Sequence, residues 1–113
     1  MKRVEATIQA SRIGIVSAAI SDIVGGFTIV EGNGKGSGER RQIRAGRGTG
    51  TITAEYNKVA VITTIVEDSD ADVVAAAIVE AAYTGRSGDG IIVVSKVDSV
   101  LNIASGKSGS DAL

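Results

Sequence analysis

Apolar and polar positions alternate from the first residues onward. Val4, Ala6 and Ile8 fall on one side of "VEATIQA" and Glu5, Thr7 and Gln9 on the other, a period of two that predicts a half-buried strand over 2–9. The spacing then changes: Ile13, Val16, Ile20 and Ile23 recur at threes and fours with Ala19 beside them. This predicts a helix over about 11–23, with Ser11 as its N-cap and Gly25 and Gly26 ending it. "GFTIVEG" reads as a short strand. "KVAVITTIV" reads as another, its nearly unbroken apolar character predicting burial on both faces. In "EDSDADVVAAAIVEAAYTG" the stripe is Val74, Ala77, Ile78 and Ala81, acidic residues crowd the first turn, and Ser69 with Asp72 resembles a capping box. A second helix is expected over about 70–82, with Gly85 as a left-handed residue past its end. "IIVVSKV" is the fourth strand, and the polar "SGKSGSDAL" reads as a tail.

Between the second and third strands the pattern fails. Nine of the fifteen glycines lie between 25 and 50, and apolar residues almost vanish from 31 to 50, which predicts a long loop. Within 35–47, Lys35, Arg40, Arg41, Arg44 and Arg47 stand against Glu39 alone, so the loop is basic while the rest of the chain is acidic. The order strand, helix, strand, loop, strand, helix, strand is βαββαβ. It predicts an α+β, ferredoxin-like sandwich with two helices on one face of an antiparallel sheet. A fold this widely used identifies no function by itself.

Composition removes whole classes of chemistry. The 113 residues contain no Cys and no His, so disulfides, thiolate nucleophiles and the commonest general base and metal ligand are all missing. No catalytic motif is built from the Lys, Asp, Glu, Ser, Thr and Tyr that remain; Thr63, Thr64, Lys58 and Asp89 are the best that an enzyme reading can assemble. A net charge of -1 argues against wholesale attraction to nucleic acid or membranes. No apolar run reaches the length of a membrane span, and "MKRVEATIQA" has no signal-peptide core, so a cytoplasmic protein is expected. A core of small β-branched residues in a short chain favours self-association.

The stretch "TGRSGDG", residues 84–90, stands between the second helix and the fourth strand. It resembles the B-loop of the P-II signal transduction proteins, usually TG-x-x-GDG followed by Lys and an apolar strand. "MKRVEATIQ" resembles that family's first strand, "GGFTIVEGNGKG" its second strand and the entry to its T-loop, and "SGKSGSDAL" its C-terminal segment. The resemblance covers the whole chain as one domain, residues 1–113, with a T-loop at about 33–56, a B-loop at about 84–90 and a C-terminal segment at about 102–113. It implies a homotrimer that senses adenine nucleotides in clefts between subunits, without catalysis, and contacts a membrane transporter or metabolic enzyme through the T-loop. It further implies a role in nitrogen regulation. The ligand expected is ADP or ATP, or AMP, with Mg²⁺ left open. Thr28 and Ile65 would flank the adenine. Gly34, Gly36 and Ser37 would meet the phosphates, and Gly88, Asp89 and Gly90 would close the site, the glycines because a bare Cα lets peptide N–H groups approach an anion.

Departures from the family pattern sharpen the expectation. After "GDG" the usual Lys is Ile91, and two usual Arg positions fall on Asn102 and Ala104. Charge-assisted donors are roughly twice as strong as neutral ones, so a triphosphate should lose most. Arg86 and Lys107 are candidate replacements, as are Arg40, Arg41, Arg44 and Arg47, which also form the candidate partner-binding loop. The modifiable tyrosine aligns with Thr51, the nearest tyrosine being Tyr56, and the Gln used for Mg²⁺ and 2-oxoglutarate corresponds to Gly38; Lys58 alone is retained. The alternative from another class is an RNA-binding ferredoxin-like module using the basic loop. Such modules stack bases on sheet aromatics, and only Phe27, Tyr56 and Tyr83 exist here.

Overall fold

The computed structural model of the chain describes residues 1–36, 42–44, 51–53 and 56–113. Strand β1 (Lys2–Gln9) leads through a single 3₁₀ turn, Ala10–Arg12, into helix α1 (Ile13–Ile20). Strand β2 (Thr28–Gly34) follows, then two short strands, β3 (Gln42–Arg44) and β4 (Thr51–Thr53), and the long strand β5 (Asn57–Val66). Helix α2 (Ala71–Ala82) and strand β6 (Gly90–Lys96) complete the frame. The main sheet is antiparallel throughout, in the order β2-β5-β1-β6. With both helices on one face, this is the ferredoxin-like arrangement.

Alternation fixes which face is buried. Val4, Ala6 and Ile8 of β1 stand in register with Thr64, Ile62 and Ala60 of β5, and all six are buried beneath Val16 and Ile20 of α1 and Val74 and Ile78 of α2. Thr64, the one buried polar residue among them, donates its hydroxyl to the Gly26 carbonyl at 2.7 Å and so ties the approach to β2 onto the core. Among the described residues no helix lies over the opposite sheet face. There Thr28, Thr63, Glu5 and Val93 form one row across the sheet, and Val30, Val61, Thr7 and Ile91 the next. Thr63 and Glu5 are also joined side chain to side chain.

Several expectations need correction. The segment between β2 and β5 is not wholly loop, because β3 and β4 pair antiparallel with Ile43 opposite Ile52. Burial of β5 is one-sided within the protomer: Val59, Val61, Thr63 and Ile65 are only half-buried, since no helix covers their face. Helix α1 stops at Ile20, and Ala19 and Ile23 are exposed rather than part of its buried stripe. Neither expected N-cap forms: no side-chain cap bond closes α1 or α2, each being started by a 3₁₀ turn. Gly85 does have positive φ, but α2 ends on an extended Tyr83, so the glycine belongs to the following loop. Finally, the C-terminal tail is folded. Leu101 bridges to Ser108, and a last 3₁₀ turn, Gly109–Ala112, buries Ala112.

Candidate nucleotide-binding site

The loop 84–90 is organised around one carboxylate. Asp89 accepts the Thr84 amide at 2.7 Å and the Gly85 amide at 3.0 Å, and the Thr84 hydroxyl donates to its second oxygen. Gln9, the last residue of β1, adds a longer contact at 3.4 Å. The Thr84 hydroxyl and amide hold the Asp89 carboxyl below the usual carboxylate range; partial burial opposes them, while the Gly85 amide and the Arg12 guanidinium act in the same direction as Thr84. Arg12 also donates to the Ala81 carbonyl at 2.8 Å, satisfying an acceptor in the last turn of α2. Helix end, loop and the turn after β1 are thereby held together.

Three glycines in this loop take φ values closed to most residues: Gly85 at 84°, Gly88 at 96° and Gly90 at 116°. Their reasons differ. At Gly90 a Cβ would overlap the Thr7 carbonyl oxygen of the neighbouring strand, so its absence lets β6 begin against β1. At Gly88 there is open space where a Cβ would be, and the peptide is exposed to solvent. Gly88 is the position where an incoming group can approach the main chain.

The residues singled out from the sequence are spread along the sheet, one set at one end and the others at its middle and far end. At one end Gly90 pairs with Ile8, Gln9 pairs with Val59, and Gly34 pairs with Asn57; Gly36 and Arg86, both exposed, belong to this end. A cleft of about 360 Å³ lies here, lined by Ala10, Glu31, Gly32, Asn33, Lys58 and Val59. Toward the other end Ile65 pairs with Arg3, while Thr28 pairs with Thr63 in the middle row of the sheet, both on the uncovered face. Lys107 also belongs to that far end. Val97 donates to the Met1 carbonyl, the C-terminal turn lies against Gly25, and Asn102 bonds the Ala112 carbonyl at 3.2 Å. The seven residues of β6, at about 3.3 Å apiece, put roughly 20 Å between the two ends. No single protomer brings Thr28, Ile65 and Lys107 to Gly88. Ser37, Arg40, Arg41 and Arg47 lie outside the described residues, and Arg44 lies in β3.

The positions where cations are missing have structural occupants. Asn102 uses both ends of its side-chain amide: its oxygen accepts the Ala104 and Ser105 amides, each at 3.0 Å, and its nitrogen donates to the Ala112 carbonyl. Sequence reading missed this role, although an Asn side chain that bonds its own backbone two residues on is a known turn device. Ile91, two-thirds exposed, stands on the open edge of β6. What remains at the loop is main-chain N–H, one committed carboxylate, apolar surface and the exposed Arg86 as its one cation.

The comparisons with known proteins agree over the whole chain. The sequence model of the family described as Nitrogen regulatory protein P-II matches residues 1–107. A protein of that name from Rhizobium meliloti (strain 1021) is 35% identical over 114 residues, spanning all of both chains. Those from Azospirillum brasilense and Synechocystis sp. are 34% and 33% identical over 114 and 116 residues, again across both full lengths.

Proposed function

Given that the chain belongs to the nitrogen regulatory protein P-II family and so has a regulatory, signal-transducing role, we propose that it senses adenine nucleotides at the seam between identical subunits. ADP, ATP or AMP is held by the 84–90 loop and the Gly34–Ser37 root of one copy together with Thr28 and Ile65 of the next, in a homotrimer. The β2–β5 segment, with Arg40, Arg41, Arg44 and Arg47, then acts on a transporter or enzyme. No catalytic role is assigned; the relatives are named as regulatory proteins.

The observation that carries this reading is the separation along one sheet of the 84–90 loop from Ile65 and Thr28, which lie toward its far end and in its middle row. A second copy is the simplest way to join them, and the uncovered face with Val30, Val61 and Ile91 supplies apolar area for such a contact. The residues fit an adenosine with few phosphates. Gly88 offers an exposed peptide, while Asn102 and Ile91 contribute no positive charge. Control of a target then requires that the nucleotides differ in their contacts with the β2–β5 segment, because a ligand shifts an equilibrium only by its differential affinity. None of the four strands of the main sheet contains an aromatic residue, which leaves an RNA-binding reading without a stacking platform. Calorimetric titration with AMP, ADP, ATP and cyclic AMP, with and without Mg²⁺, tests the proposal. ADP or AMP is expected to bind at least as well as ATP; ATP tighter by tenfold or more rejects that preference, and no heat from any of them rejects the site.

A further inference from the structure

The two helices pack side by side, bury one flank and leave an apolar surface on the other. Val16 and Ile20 of α1 and Val74 and Ile78 of α2 face the sheet, and a helix with water on its remaining side normally carries charged residues there. Helix α1 has none: its eight residues, Ile13–Ile20, contain no charged side chain. The outward strip consists of Ile15 and Ala18 on α1 and of Val73, Ala76, Val79 and Tyr83 along α2 and at its end, all exposed, the larger four over half or more of their surface. On α2 these positions recur at threes and fours, the spacing that suits the i, i+3, i+4 and i+7 anchors of an incoming helix. Small residues keep the surface low. At Gly14 even an added Cβ would meet nothing within 4 Å, so another helix can approach closely.

Charge decides which helix fits. Across residues 10–26 and 67–83, which hold both helices, Asp22, Glu67, Asp68, Asp70, Asp72 and Glu80 stand against Arg12 alone. Arg12 is committed to the Ala81 carbonyl at 2.8 Å, and among the described residues only Asp68 is ion-paired, with the Met1 ammonium at 2.8 Å. An apolar strip with a polar rim marks an interaction site, and a rim of one sign selects the opposite sign. Two copies meeting by this face would set carboxylates against carboxylates. We propose that the outer face of α1 and α2 docks a cationic amphipathic helix of another protein, its apolar side on Ile15, Val73 and Val79 and its Lys or Arg residues toward Asp22, Asp72 and Glu80. The face lies on the opposite side of the sheet from the surface assigned above to assembly and shares no residue with the 84–90 loop. It gives the protein a route to a target besides the basic β2–β5 segment, and it does not depend on the nucleotide reading.

The probe is a labelled peptide of leucine and lysine patterned as an amphipathic helix, followed by fluorescence anisotropy on the full chain. The same composition in scrambled order and a leucine–glutamate version serve as controls. The patterned cationic peptide is expected to bind and the controls to bind at least tenfold more weakly, by roughly the area and charge that they fail to match. Ile15→Gln with Val73→Gln changes no charge and only exposed residues, so circular dichroism and ADP titration should stay as they are while peptide affinity falls by roughly tenfold. Asp72→Lys with Glu80→Lys should exchange the preference for the glutamate peptide. Equal binding of the scrambled peptide, or unchanged affinity in the Gln variant, would reduce the contact to general charge attraction and overturn the site. Self-association lost in the Gln variant would assign the face to a second copy, and peptide binding that appears only after Arg40→Ala, Arg41→Ala, Arg44→Ala and Arg47→Ala would assign it to the chain's own basic segment; either result overturns the proposal. Loss of ADP binding in the wild-type chain would remove the nucleotide reading and leave this contact standing.

Discussion

At the residue scale, Gly90 and Gly88 look alike in the motif and differ in physics. Gly90→Ala drives a Cβ into the Thr7 carbonyl at a φ of 116°, so both overpacking and backbone strain act, and a loss of about 2–5 kcal/mol is expected. Gly88→Ala meets only the backbone penalty, about 1–2 kcal/mol, and should weaken nucleotide binding more than it weakens the fold. Urea midpoints set beside ADP titrations separate the two. For Asp89 the sign of the pH effect follows from a carboxyl held below its usual range by Thr84. The ordering it gives is complete above the ordinary aspartate pKa and fades as pH falls through the lowered one. Loop order at neutral pH is therefore insensitive to small pH changes. Carboxyl NMR titration showing Asp89 at or above the ordinary value would contradict this. Asp89→Asn leaves the protein folded but should speed amide exchange at Thr84 and Gly85, whose N–H groups lose their ionised acceptor.

At the scale of elements, periodicity carried most of the fold. The apolar alternation of Val4, Ala6 and Ile8 marked β1 to the residue, and the stripe Val74, Ala77, Ile78 and Ala81 marked α2 to within one. What escaped notice was short or cooperative. Strands β3 and β4 span three residues each, too few for a period of two to stand out, and their pairing of Ile43 with Ile52 is a relation across the loop. The end of α1 was blurred because Ser21 and Val24 still bond back to Ser17 and Ile20 after the regular helix stops. The C-terminal hairpin was hidden because its order depends on where a single asparagine side chain points. Asn102→Ala should free the Ala104 and Ser105 amides, costing roughly 1–2 kcal/mol of local stability. Hydrogen exchange confined to residues 101–108, with little change in the global unfolding midpoint, is the expected record. The candidate site was legible as a motif, since TG-x-x-GDG stood out in one dimension; the spread of its proposed residues along the sheet was not, because strand register is a property of the paired chains.

At the scale of the whole molecule, the uncovered sheet face, the open edge of β6 and the exposed Ile103 are the surfaces that the proposed assembly would draw on. No helix among the described residues is long and apolar enough to cross a membrane. Assembly and ligand binding should be coupled: if nucleotide spans two copies, ADP strengthens association, and sedimentation with and without ADP should show oligomer persisting to lower protein concentration in its presence. An unchanged midpoint would place the ligand within one copy. The aromatic inventory gives these experiments a further advantage. With no tryptophan in the chain, ultraviolet emission comes from Tyr56, where β5 begins, and Tyr83, whose phenol lies over Gly85. Each ring stands at the root of one of the two segments assigned to the proposed site, so a change in tyrosine emission on adding ADP to the unlabelled protein is the expected sign of occupancy.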